Sequence, residues 1–459
     1  MLGLALGLLA SSAFAQTVAI TGGTVAIGDG SAPIEGGTVV IRDGRVVAAG
    51  SGVAVPAGAQ TVDATGKWVT PGIVAGFSRV GLVEVDAVDP SNDSVANGSP
   101  FSAAIDIAPA INPRAAAISV NRSSGVTRAI VAPATGKSIF AGQGAVIDLG
   151  DDMDAVMRAR AFQFVEFGEQ GAAEAGGSRA AAHTLFRNAL REARDLGRTG
   201  IAGGAAAERR GTAAQQQDLP LEEVPNNRLL TSAVDRPQDV LLTRFDAAAL
   251  VPVLQGRQLL LVHAERASDI LAVLALKREF PSLRLVLVGA GEGWTVADRI
   301  AAAGVPVIAN ALSDLPASFE QLAATQSNIG RMRSAGVDVG IGMINDDEAR
   351  QVRVSTQYAG NLVALGKVPG AAGLSWGEAF AAITSRPAEA IGLGGEIGSL
   401  RPGRRADVVI WSGDPLELSS GVETVLIDGV QQSLDNRQTK LRDRYRALPE
   451  TSLPKAYER

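Results

Sequence analysis

Between about Gln258 and Leu393 four short apolar runs recur, "QLLLVHA", "RLVLVGA", "VPVIANA" and "VDVGIGM", each followed by a helix-compatible stretch. This alternation constrains the fold of the 459-residue chain more than any other feature. Strands joined by helical crossovers lie parallel, with the helices packed outside them. The clearest helical followers are "SDILAVLALKREF" and "SFEQLAATQSNIGRMRSAG". Further strands are expected at "WVTPGIVAGF" and "VTRAIVAPA". The count then suits an α/β chain with a (β/α)8 TIM-type barrel over residues 71–397. Periodicity alone leaves an open doubly wound sheet as the alternative.

The flanks have a different texture. From 16 to 70, "TVAITGGTVAIGDG", "GGTVVIRDGRVVAAG" and "QTVDATGKWVT" are β-rich runs cut by Gly, Pro and Asp-Gly turn signals. The same texture returns over 398–434 in "RADVVIWSGDP" and "VETVLIDGVQQS". The barrel is therefore expected to be inserted in a small composite β-sandwich module built from both ends of the chain. "SRAAAHTLFRNALREARDLG" reads as a helix, and the Gly/Ala- and Gln-rich stretch after it as a mobile surface insertion. The charged segment 435–459 reads as a packed helix followed by a loose tail.

At the other end, "MLGLALGLLASSAFAQ" combines an apolar run with small residues and an A-x-A pattern at Ala13-Phe14-Ala15. Residues 1–15 are read as a secretory signal peptide cleaved near Ala15, although no Lys or Arg precedes the apolar run. The expected destination is the periplasm or the cell exterior. The chain has no cysteine, so disulfide and thiolate chemistry are excluded. With a net charge of -6 it carries no basic footprint for nucleic acid, and nothing after the leader reads as a membrane span.

Three stretches resemble the amidohydrolase superfamily, in its secreted, imidazolonepropionase-like branch. They are "GKWVTPGIVAGFSRVGL", "SSGVTRAIVAPATGKSIFAGQGAVIDL" with Gly142-Gln143, and "AITSRPAEAIGLGGEIGSLRPGRRADVVIWSGDPLE". The resemblance implies a barrel in a composite β module. It also implies metal-dependent hydrolysis of C–N bonds in cyclic amides, ureas or dipeptides, with a metal-bound hydroxide as nucleophile and a strand-eight aspartate as proton shuttle.

The residues depart from that pattern. The strand-one Asp-x-His-x-His falls on Ala75, Phe77 and Arg79; a phenyl ring has no lone pair and a guanidinium is permanently cationic. The strand-six histidine position falls on Gly289, and strand eight offers Asp346 or Asp347. The whole chain holds 2 histidines, so a His-rich binuclear centre cannot be assembled under any alignment. His183, in "AAAHTLFRNAL", is expected to pack on a helix face. His263, at the end of a barrel strand, is the better functional candidate.

Around His263, the residues Glu265, Glu292 and Asp346 or Asp347 offer carboxylates, and an Arg79-to-carboxylate bridge is expected at the barrel mouth in place of a metal. His263 and Asp346 are thus the candidate catalytic residues, and Arg79, Glu265 and Glu292 the candidate ligand-binding residues. No metal ligand set is expected, Phe77, Arg79 and Gly289 being the degenerate positions.

Competing motifs carry less. In "LVGAGEGWTVADRI" Trp294 replaces the third glycine of a dinucleotide loop, so a tight turn with Thr295 capping a helix is the reading. No G-x-S-x-G elbow is present; Ser78 and Ser268 would need His263 as base. Glu84 and Asp86 are read as a solvated mouth loop rather than a glycosidase pair.

Three readings follow. The first is a non-catalytic barrel that binds a small-molecule ligand, or serves as companion subunit to an active relative or to itself as a homodimer. The second is a C–N hydrolase with a mono-metal or metal-free site around His263, needing zinc or another divalent cation only in its mono-metal form. The third is an envelope-assembly role for the tail. No cofactor is expected under the first.

Overall fold

The computed structural model describes residues 17–85, 88–199, 241–311, 313–344 and 350–446. The leader, the Gln-rich insertion, Asp86, Asp346, Asp347 and the end of the tail lie outside the described residues.

Strands β1 (Thr17–Val25), β2 (Ile34–Arg42), β3 (Arg45–Gly50), β4 (Gln60–Asp63) and β5 (Trp68–Pro71) come from the N-terminal side. The barrel strands are β6 (Ile73–Ser78), β7 (Val126–Val131), β8 (Phe140–Asp148), β9 (Val156–Glu166), β10 (Leu259–Ala264), β11 (Leu285–Gly289), β12 (Val307–Ala309) and β13 (Val339–Ile341). After them β14 (Val408–Trp411), β15 (Val422–Ile427) and β16 (Val430–Gln431) return to the first sheet. That sheet runs β16-β15-β14-β5-β1-β2-β3, with β4 also paired to β1, so the composite module does join the two ends of the chain.

The second sheet runs β6 to β13 in sequence order. The Met343 N–H donates to the Phe77 carbonyl at 3.0 Å, bringing the two ends of the sheet together as a barrel. Strand β8 is antiparallel to both neighbours, so a hairpin excursion replaces one βα unit while the other barrel pairings are parallel. The βα pattern therefore describes the second half of the barrel better than the first. The helix over "SDILAVLALKREF" forms at Ala267–Glu279, but in "SFEQLAATQSNIGRMRSAG" helix is confined to Asn328–Ser334. The preceding residues form a turn-rich loop that carries a buried carboxylate, Glu320, to the barrel mouth.

Two apolar layers hold the barrel. Outward-facing strand residues such as Val262 and Leu287 pack beneath the helices. The interior is filled by Val74, Phe77, Ile130, Phe162, Phe164, Leu261, Val288 and Ile308 among others. The chain passes from module to barrel at Pro71-Gly72, where only glycine fits: a Cβ on Gly72 would lie 2.1 Å from the Thr127 hydroxyl.

Below that passage the fully buried Arg128 guanidinium makes a two-pronged bond to Asp407, both contacts 2.7 Å, and reaches Asp428 at 2.9 Å and Asp148 at 3.6 Å. Burial opposes its charge, but Asp407 and Asp428 outweigh that and hold the guanidinium above its ordinary range. Burial pushes the Asp148 carboxyl up to about 6, against opposing contributions from the Gly150 N–H and Arg128.

Among the described residues no helix is long and apolar enough to cross a membrane.

Candidate functional site

The site is assembled where strands β6, β9, β10 and β11 end. Phe77, at the strand-one position, turns inward at 1% exposure and packs against Phe164 with ring centroids 5.2 Å apart. A phenyl ring thus occupies the interior where the family pattern would place a histidine. The Arg79 guanidinium lies 6.0 Å from the centre of the Phe77 ring.

His263 ends β10 with 15% of its side chain exposed, and both ring nitrogens are engaged. Nδ1 is 2.7 Å from Oε1 of Glu166, and Nε2 is 3.0 Å from Oε1 of Glu265. A neutral imidazole has one N–H and would turn a lone pair toward one of these carboxylates; an imidazolium donates to both. Burial works against that charge, but Glu166 and then Glu265 overcome it and raise the His263 pKa well above its ordinary value. The partners are fixed in turn. Glu166 Oε1 also accepts from the Gly168 N–H at 3.2 Å, and Glu265 Oε2 accepts from the Gly291 N–H at 2.6 Å.

Gly289 explains how Glu265 reaches its place. Its φ is +90°, and a Cβ there would stand 2.6 Å from Glu265 Oε1 and 2.9 Å from His263 Cδ2. At the strand-six ligand position the space belongs to the Glu265 carboxylate. Gly289→Ala is expected to cost about 2–4 kcal/mol, from the strained φ together with overpacking. Urea unfolding measures it, and an unchanged midpoint would show that Glu265 has room to move.

Two more carboxylates border the triad, and sequence reasoning found neither. Glu320 is buried, and its Oε2 accepts from the Glu169 N–H at 2.7 Å and lies 3.5 Å from Arg179. Burial raises its pKa; His263 and the Glu169 N–H oppose this, while Glu265 and Glu166 add to it. Glu174 is raised by burial first and by Glu166, against hydrogen bonds from Thr135 and Gln170. Glu166 itself was missed because β9 was not expected; the alternating "FQFVEF" that ends in it was the available signal.

The remaining candidates have other surroundings. Glu292 accepts from the Ala267 N–H at 3.0 Å and the Ala323 N–H at 3.1 Å, pinning the start of one helix to the Glu320 loop. Thr295 donates back to the Glu292 carbonyl at 2.7 Å, so it closes a turn instead of capping the following helix. Ser78 is buried and donates to the Ile130 carbonyl at 3.1 Å, and Ser268 is exposed, so neither is the hydrogen-bond partner of His263, whose ring nitrogens face Glu166 and Glu265. His183 lies edge-on to Phe167 at 6.4 Å between ring centroids, on a helix face. Glu84 bonds to Asn112 on an exposed loop.

Both ring nitrogens of His263 thus face carboxylates, and in the doubly protonated form neither has a lone pair to offer. Among the described residues no group of three or more His, Asp or Glu side chains is arranged to hold a metal ion. Phe77 and Gly289, read from the sequence as degenerate ligand positions, offer no side-chain donor atom to a metal.

A crystal structure of an amidohydrolase from Thermotoga maritima MSB8 superposes with a TM-score of 0.71 at 24% identity, covering 90% of this chain and 99% of that one, and shows the shared fold. The Amidohydrolase family model matches residues 296–431. The chain is thus similar to amidohydrolases in fold, and in sequence over that segment. The imidazolonepropionase of Maricaulis maris is 37% identical over 98 residues, and that of Acidiphilium cryptum 51% over 45 residues. These segments span 21% and 10% of this chain, and 23% and 11% of the two relatives. The barrel thus carries a Glu166-His263-Glu265 array at its mouth.

Proposed function

We propose that this amidohydrolase-superfamily protein has lost metal-dependent hydrolysis and works as a non-catalytic barrel, binding a small ligand at its mouth or accompanying an active relative. The observation that carries this reading is the double commitment of His263: its two ring nitrogens lie within hydrogen-bond distance of Glu166 and Glu265, with Glu265 seated in the space at Gly289. To recruit His263, a cation would have to break a charge-assisted hydrogen bond in a largely buried site.

The proposal includes export, with the mature chain beginning at Gln16, which N-terminal sequencing of the purified protein would read directly.

The test of the non-catalytic reading is metal content by mass spectrometry, on protein purified without chelator or affinity tag from medium containing zinc, manganese and iron. The expected result is far below one metal per chain. Close to one per chain, lost in His263→Ala, would overturn the proposal in favour of a mono-metal C–N hydrolase using His263 and Glu265, with Asp346 from outside the described residues.

A further inference from the structure

The C-terminal segment forms a helix, Arg437–Arg446, as expected from its charge pattern, but it touches the fold only along the Ala116–Arg122 helix and none of its residues is buried. Its sequence, RQTKLRDRYR, sets five basic residues against the single acid Asp443 in a chain whose net charge is -6. Among the described residues its one ion pair is internal, Arg442 to Asp443 at 2.8 Å. Leu441 and Tyr445, four residues apart and so on one face, are 40% and 58% exposed.

The helix is nonetheless firmly aimed. Asn436 is buried at its start, accepts from the Gln438 and Thr439 N–H groups at 2.8 and 3.0 Å, and donates to the Ser123 hydroxyl at 2.9 Å. A ten-residue helix that touches the fold only near its root is marginal in water, so a capped and anchored one with an exposed apolar face is suited to a second surface.

A surface of matching character emerges from the same end of the molecule. The turn Asp151-Asp152-Met153-Asp154 is exposed throughout, with Met153 at 65%. Arg122 is buried and joins the two features: it donates to the Ser433 and Leu149 carbonyls at 3.1 and 3.0 Å and lies 3.4 Å from Asp151. The turn and the root of the helix are therefore neighbours, with opposite charge around exposed apolar side chains. An anionic lipid surface fits less well, because everything apart from this helix is more acidic than the chain as a whole.

We propose that two copies of this chain pair through this end, the basic helix of each lying on the acidic turn of the other. Such an exchange is self-complementary under a two-fold axis and satisfies both surfaces twice. Leu441 and Tyr445 pack near Met153, while Arg437, Lys440 and Arg444 face Asp152 and Asp154.

Sedimentation equilibrium of the full mature chain tests this, with circular dichroism to confirm folding. The wild type is expected to dimerise, more weakly at high salt. Arg437→Glu/Arg444→Glu and Asp152→Lys/Asp154→Lys are each expected to weaken self-association by at least about tenfold. Mixed together, the two variants should form a heterodimer of near wild-type strength, since both contacts again join opposite charges. A monomeric wild type overturns the proposal. So does a dimer indifferent to both reversals, and so does helix-dependent cosedimentation with anionic vesicles in place of self-association.

Discussion

Arg128→Met is expected to lose about 3–5 kcal/mol of folding stability at neutral pH, the scale for removing one partner of a buried ion pair. Arg128 is fully buried, and Asp407, Asp428 and Asp148 converge on its guanidinium, Asp428 alone having a second cation in Arg405 at 3.0 Å. Methionine fills much of the volume but leaves the carboxylates facing one another with little water. The same residues join barrel to module: Arg128 lies on β7, Asp407 just before β14 and Asp428 just after β15, and Asp407 also accepts from the Asp428 N–H at 3.1 Å.

The loss should have a definite pH dependence. Without Arg128 the Asp148 carboxyl, already raised by burial, loses an opposing charge and is pushed further up, so the folded variant binds protons more readily than the unfolded chain, and stability is regained as pH falls. The gap to wild type is therefore expected to narrow from neutral toward mildly acidic pH. Urea unfolding at both conditions measures it, and a loss below about 1 kcal/mol would mean that the aspartates find water. Arg128→Lys should rescue only part, because an ammonium cannot reproduce the two-pronged geometry.

His263→Ala is the second large effect, expected at about 2–4 kcal/mol at neutral pH, discounted from the fully buried case because the mouth is partly open. The variant leaves Glu166 and Glu265, 7% and 5% exposed, as neighbouring carboxylates with no cation between them. The sign follows from the raised folded-state pKa of His263. Its stabilising contribution is fully present below the unfolded value of about 6.5 and is lost as pH rises through the folded-state value. The difference between wild type and variant should therefore persist from mildly acidic through neutral pH and shrink on the alkaline side. Thermal unfolding across this range is the check, and a flat difference would show that His263 is neutral.

Local pattern carried the fold where structure is local. The apolar runs over 258–341 became parallel strands because each is a complete strand bounded by helix or turn signals. The hairpin of β8 and β9 was not legible: glycines interrupt "FAGQGAVID", the first half of "VMRARAFQFVE" is polar, and an antiparallel excursion depends on cross-strand register. At the site, His263 and Glu265 stood out as polar residues closing an apolar strand. Glu320 did not, because an irregular loop brings it to the mouth through tertiary bonds to Glu169 and Arg179. The residue type of Glu292 suggested a ligand contact, but its backbone partners Ala267 and Ala323 depend on how loops pack, which composition does not encode.

The central claim is that His263 is held as an imidazolium between Glu166 and Glu265, and two-bond proton–nitrogen NMR of the imidazole ring reads it directly. The chain has 2 histidines, so His183→Gln leaves a single ring to observe. The expected result is a ring protonated on both nitrogens at neutral and mildly alkaline pH, with nitrogen shifts unmoved by one equivalent of zinc. A ring deprotonated on one nitrogen at neutral pH, or nitrogen shifts displaced by zinc, would contradict the account and return His263 to the role of a metal ligand.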